Sequence, residues 1–84
     1  MAELQYSKQA TKYLRKMPKA QARKIHSALL QIAAGIDEKS DIKWLSNLKV
    51  YRMRQGNYRA QYEFLDNHRR MVVGKIGIRG DFYK

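Results

Sequence analysis

The sequence predicts an α+β domain in which an N-terminal strand and an αα-hairpin pack on one face of a small, mainly antiparallel β-sheet. Three observations lead there. The hydrophobic period changes from about 3.6 to 2 near the middle of the 84 residues. A proline, Pro18, divides the first half into two helix-period stretches. Two short polar turns divide the second half into three strand-period stretches. A chain of this length is enough for one domain, residues 1–84, with a thin core.

The elements follow in order. Glu3 to Tyr6 is a short extended segment. Ser7 then offers a hydroxyl oxygen to a free N–H of a first helical turn. Ala10, Tyr13, Leu14 and Met17 recur at i, i+3, i+4 and i+7, one apolar stripe, with Lys8, Lys12, Arg15 and Lys16 off it. Pro18 ends this helix and opens the next, because its missing N–H costs nothing in a first turn. From Lys19 to Ala34, Ala22, Ile25, Leu29, Ile32 and Ala33 share a face, and Gly35 stops the helix. Gly35 to Asn47 is polar, with Ile42, Trp44 and Leu45 as anchors, and reads as an ordered loop.

Leu48 to Arg54, Tyr58 to Leu65 and Arg70 to Ile78 are the three strands, joined at Gln55-Gly56-Asn57 and Asp66-Asn67-His68. Turns this short make neighbours antiparallel. The helices then cover one sheet face and leave the other open. Alternation puts Tyr51 and Met53 opposite Val50, Arg52 and Arg54. It puts Tyr58, Ala60, Tyr62 and Phe64 opposite Arg59, Gln61 and Glu63. In the last strand it groups Val72, Gly74, Ile76 and Ile78 against Met71, Val73 and Lys75, and the apolar character of both sides predicts an interior strand.

The formal net charge is +11, from 18 Lys and Arg against 7 Asp and Glu. Such a surface binds polyanions through counterion release. Nucleic acid, an anionic membrane surface and an acidic protein segment are the candidate partners, and the even spread of charge points to a folded basic surface. With no cysteine, disulfides and thiolate metal sites are excluded. The opening residues have no apolar signal core and no run approaches a bilayer span, so a soluble cytoplasmic protein is expected.

Arg52, Arg54 and Arg59 converge on the open face from two adjacent strands. Arg79 follows the last strand, and Gly80 lets the chain bend back and bring Tyr83 near the arginines. Arginines hold phosphate with a planar fork of donors, and a tyrosine ring stacks on an unpaired base. An RNA strand held there carries its own nucleophile, the 2′-OH. The site then needs cations for the phosphorane charge and groups that move protons. No carboxylate cluster has metal-ligand spacing, so neither metal nor cofactor is expected. The competing structural reading is that alternating arginines form a solvated strand face or guard an edge, and that Tyr83 is a docking residue.

The chain resembles the RelE/ParE toxin superfamily over nearly its whole length. The resemblance is carried by Leu14-x-Lys16-Met17-Pro18, Trp44-Leu45-x-x-Leu48, Tyr51-Arg52-Met53-Arg54, Gly56-Asn57-Tyr58-Arg59-Ala60-x-Tyr62, Gly74-Lys75-Ile76 and the closing Arg79-Gly80-Asp81-Phe82-Tyr83-Lys84. It implies a RelE-like toxin of a type II toxin–antitoxin pair, a metal-independent mRNA interferase that cleaves mRNA in the A site of the 70S ribosome. It places Arg52, Arg54, Arg59, Arg79 and Tyr83 in the catalytic set, and an acidic antitoxin as the neutralising partner. Lys75 and Lys84 are expected to touch substrate. Because arginine does not release its proton, the proton acceptor falls to Tyr83, Lys75 or Lys84, or else charge and positioning do most of the work. Two other readings use the same fold or the same charge: a ParE-like inhibitor of DNA gyrase, and an RNA-binding module without catalysis.

Overall fold

The computed structural model describes residues 1–36 and 41–78. The elements run β1 (Glu3–Tyr6), α1 (Lys8–Lys16), α2 (Lys19–Ala33), β2 (Asp41–Leu45), β3 (Val50–Gln55), β4 (Tyr58–Leu65) and β5 (Arg70–Ile78). The strands form one sheet in the order β1-β5-β4-β3-β2, antiparallel except for β1, which lies parallel to β5.

Local chemistry sets the helix ends. The Ser7 hydroxyl accepts from Ala10 N at 3.1 Å, as expected of an N-cap. Pro18 is the N-cap of α2, one position before the expected first-turn site. Gly35 has φ +84°, and Gly35 N to Ile32 O with Ile36 N to Gln31 O closes α2 in the paired-bond pattern of a left-handed C′ residue.

The helices lie on the face that carries Met53, Ala60, Tyr62, Met71, Val73 and Ile76, and they add Ala10, Ile25, Leu29 and Ile32 to a single core. Ala10 is fully buried, so α1 approaches β5 closely. As expected, β5 is interior, flanked by β1 and β4.

Two expectations are corrected. The segment read as a loop contains β2, an edge strand paired with β3 from Asp41↔Arg54 to Leu45↔Val50. Its signal was faint because only Ile42 and Trp44 represent the helix-side face and polar residues alternate with them. The second correction is the parity of β5. Gln61 pairs with Lys75 but Tyr62 pairs with Val73, so Gly74 is an extra residue in β5. Beyond this bulge the alternation inverts. Met71 and Val73 therefore join Ile76 on the helix side, while Val72 turns to the open face.

The bulge sits where β5 changes neighbours. Ser7 N donates to Val73 O at 2.9 Å as β1 ends. From Gly74 on, side chains at the start of α1 take over that edge. The Ser7 hydroxyl donates to Gly74 O at 2.7 Å. The Gln9 amide donates to Ile76 O and accepts from Ile76 N, both at 3.0 Å. Gln9 thus stands in for one residue of a missing strand and satisfies backbone groups of β5 that would otherwise be left bare.

Candidate functional site

Cross-strand pairing turns the predicted arginines into a grid on the open face. One row runs Asp41, Arg54, Arg59 and Gly77 across β2 to β5, and the next runs Lys43, Arg52, Gln61 and Lys75. Directly paired residues point to the same face. Arg52, Arg54, Arg59 and Lys75 are therefore brought together as expected. Gly77 puts no side chain beside Arg59, which leaves that end of the row to the guanidinium.

Burial separates these cations. Arg59 is only 7% exposed and is, among the described residues, the one charged residue in the buried class. The Arg52 side chain is 11% exposed and its Nε has no hydrogen-bond partner among the described residues. A guanidinium withdrawn from water is costly unless an anion compensates it, so two on one small face mark a place that favours anions. Arg54 is about half exposed.

The anion in place is the residue that sequence reasoning missed. Asp41 bonds to both arginines of β3: Arg52 Nη2 donates to Oδ1 at 3.3 Å, and Arg54 Nη2 pairs with Oδ2. It sat inside the segment read as a loop. Once β2 is recognised as antiparallel to β3, the Asp41↔Arg54 register places it here. Its carboxylate occupies guanidinium donors of both Arg52 and Arg54.

Alongside the second row, a recess of about 160 Å³ lined by Val50, Gln61, Tyr62, Glu63, Val72 and Gly74 opens beside the bulge. Among the described residues the site is thus an open, basic, shallow surface. The described residues contain no group of three or more His, Cys, Asp or Glu that could hold a metal. Arg79, Tyr83 and Lys84 lie outside the described residues.

The helix side carries a different surface beyond the cover of the hairpin. Trp44 is 49% exposed, and its ring meets Tyr51 at 4.8 Å. Tyr51 stacks on Tyr62 at 5.4 Å, and Phe64 stacks on His68 at 4.7 Å. The two recesses here, of about 250 and 240 Å³, share Phe64 and His68, so they form one groove between the end of α2 and strands β2 and β3. An exposed Trp within such an aromatic run is the composition of a protein-binding patch. Near α2, the Tyr6 hydroxyl and His26 Nδ1 share a hydrogen bond at 2.7 Å, and burial pushes the Tyr6 phenol up to about 12.

No helix is long and apolar enough to cross a membrane, among the described residues. The family model described as the ParE toxin of the type II toxin–antitoxin system parDE matches residues 4–83. No curated protein matches. Among solved structures, a chain of the archaeal RelE–RelB complex from Pyrococcus horikoshii OT3 superimposes with a TM-score of 0.75 at 27% identity, over 95% of this chain and 97% of that one. The RelB–RelE antitoxin–toxin complex from Methanococcus jannaschii gives 0.73 at 22% identity, covering 89% of each chain. The RelBE2 toxin–antitoxin complex from Mycobacterium tuberculosis gives 0.72 at 16%, covering 93% and 98%. These last two carry the fold alone.

Proposed function

The chain belongs to the ParE toxin family of type II toxin–antitoxin systems, and from that premise we propose that it acts on RNA as a RelE-like, metal-independent endoribonuclease, cutting mRNA in the ribosomal A site. The observation that carries the reading is the withdrawal of Arg59 and Arg52 from water on an otherwise open sheet face. Guanidiniums held on a strand face with little water around them suit an anionic partner such as a phosphodiester backbone.

In this reading the phosphate lies across Arg54 and Arg59, with Arg52 and Lys75 in the neighbouring row. The RNA 2′-oxygen forms a bond to the adjacent phosphorus, and the bond to the 5′-oxygen breaks. The products are a 2′,3′-cyclic phosphate and a 5′-hydroxyl. The 2′-OH proton leaves to an acceptor, and the departing 5′-oxygen takes one up. Fixed guanidiniums stabilise the doubly charged phosphorane more than the singly charged ground state, which is the differential binding that lowers the barrier. Arg79 adds a further cation, Tyr83 a ring and hydroxyl, and Lys84 a contact to substrate. The cognate partner is an acidic antitoxin. Support comes from the +11 charge and from the toxin–antitoxin complexes in which the structural neighbours occur. The aromatic groove around Trp44 suits the apolar side of such a chain.

The test is in vitro translation with the purified chain, mapping mRNA 5′ ends by primer extension. Cleavage ends inside A-site codons, lost in Arg59→Ala, are expected. Intact mRNA with normal ribosome loading refutes the reading. The match to the ParE toxin model favours one second reading, inhibition of DNA gyrase by binding. It predicts the converse result: intact mRNA and blocked supercoiling.

A further inference from the structure

The geometry points to a second nucleotide site on the helix side of the molecule, at the corner between α1 and α2, which takes one unpaired base of an RNA strand. It rests on the reading of the chain as a toxin that acts on RNA, and it is separate from the arginine face.

The recess is there. Tyr13, Lys16, Met17, Pro18 and Tyr58 line a cavity of about 260 Å³. Its walls are two tyrosine rings whose centroids lie 6.4 Å apart at 74°, so one ring meets the other edge-on. The Met17 thioether and the Pro18 ring complete an apolar lining, and the Lys16 ammonium stands at the rim. Pockets for drug-sized ligands and cofactors run to about 300–1,000 Å³. This one is smaller and partly open, a size for a single planar ring. Aromatic walls accept any base, because every base has a π-face.

The charge around it has no local explanation. Between Ser7 and Ile36 the chain has seven lysines and arginines and no acid. Lys19, Arg23 and Lys24 lie in the first two turns of α2, and no acid stands in the first turn of either helix. A helix begins at the positive end of its dipole, where cations are adverse and acids are favoured. The Pro18 cap offers no side-chain acceptor there either. This distribution works against the helix and suits a polyanion running past it.

The location fits the same RNA. Tyr58 opens β4 and pairs with Gln55 and Ile78, while Arg59 beside it pairs with Arg54 on the opposite face. The pocket and the basic row thus meet at one end of the sheet, around the β3–β4 turn. A strand crossing the arginines reaches the pocket by passing round that end. An acidic protein helix is less well served at this corner, because its apolar stripe would need a longer groove than this recess provides.

The experiment uses short RNA with 2′-O-methyl groups throughout, so that nothing is cut, and one 2-aminopurine moved along the strand. Its fluorescence is expected to be quenched at one position when the wild-type chain binds. Tyr13→Leu and Tyr58→Leu should abolish that quenching and weaken binding roughly five- to hundredfold, the range for one lost base stack. Lys16→Ala, at an exposed position that does not threaten folding, should weaken binding and lower the salt slope by about 0.7. Arg59→Ala should keep the quenching whatever it does to cleavage, which separates this site from the arginine face. RNA bound without quenching at any position overturns the proposal, and so does quenching that survives both tyrosine substitutions. A Lys16→Ala defect confined to a protein partner would reassign the corner to that partner. If the wild-type chain binds no RNA even at low salt, the underlying reading fails instead.

Discussion

Asp41→Asn should bind RNA more tightly than the parent chain while folding slightly less stably. The carboxylate holds Arg52 and Arg54 together and occupies the donors that a phosphate would use. Two unit charges about 4 Å apart interact by roughly 4 kcal/mol at an effective dielectric near 20. Asp41 is 43% exposed, and exposed pairs measure only about 0–1 kcal/mol. A partly screened value of about 1–1.5 kcal/mol is therefore reasonable for the repulsion removed, which is about a tenfold gain in affinity. The salt slope should steepen by about 0.7 for each additional phosphate neutralised on a single strand. Stability moves the other way. Two ion pairs are lost and two cations are left side by side, costing up to about 1 kcal/mol and lowering Tm by about 4–8 °C. Fluorescence anisotropy with an uncleavable RNA across a salt series reads the first pair of effects, and thermal unfolding reads the second. Weaker or unchanged RNA affinity in Asp41→Asn at every salt would show that Asp41 does not occupy the phosphate position.

Three other outcomes follow from single contacts. Gln9→Leu should cost about 2 kcal/mol, because it strips both partners from Ile76 N and O at the part-buried edge of β5; equilibrium urea unfolding would detect it. Stability should fall between about pH 10 and pH 12. Tyr6 has its pKa raised by burial, so the unfolded chain loses that proton first, and the contribution is intact below pH 10 and gone above 12. The ring is only half-buried, which holds the effect to about 1 kcal/mol, and Tyr6→Phe should flatten this part of the profile. Trp44→Ala should weaken capture by a cognate antitoxin by at least tenfold while leaving RNA affinity unchanged, as measured by calorimetry.

Much of the fold was legible because local rules and global packing agree. Ser7, Pro18 and Gly35 mark helix ends by their own chemistry, and the alternation in β3 and β4 names the arginine face directly. What escaped was information held between strands. β2 has just two helix-side residues, so its identity comes from pairing with β3, and Asp41 could be assigned to the site only through that register. The site is therefore half local and half topological: its cations follow from alternation, its counterion from strand order.

The parity of β5 belongs to the same class, and it supports a sharper test. Val72-Val73-Gly74-Lys75-Ile76 has apolar residues at both parities, so sequence alone favours strict alternation. Packing requires the bulge, because Met71, Val73 and Ile76 are all fully buried on one face although Ile76 lies three positions after Val73 and five after Met71, odd steps that strict alternation would send to the opposite face. The bulge does not depend on glycine itself. A Cβ at position 74 would meet nothing within 4 Å, and no positive φ is needed there. Gly74→Ala should therefore stay within about 1 kcal/mol of the parent, whereas deletion of Gly74 should not. Removing the extra residue brings Ile76 two positions after Val73, so strict alternation then keeps Met71, Val73 and Ile76 on one face and leaves the core pattern intact. The cost falls on the edge instead: Ser7 loses its acceptor at Gly74 O, and Ile76 shifts out of register with the Gln9 amide. Each such hydrogen bond contributes about 0.5–1.5 kcal/mol, and a domain this small has only about 5–10 kcal/mol in all. Circular dichroism melts of both variants decide it. A deletion variant that melts with the parent would mean that the Ser7 and Gln9 contacts to the edge of β5 contribute nothing to stability and that the bulge is dispensable.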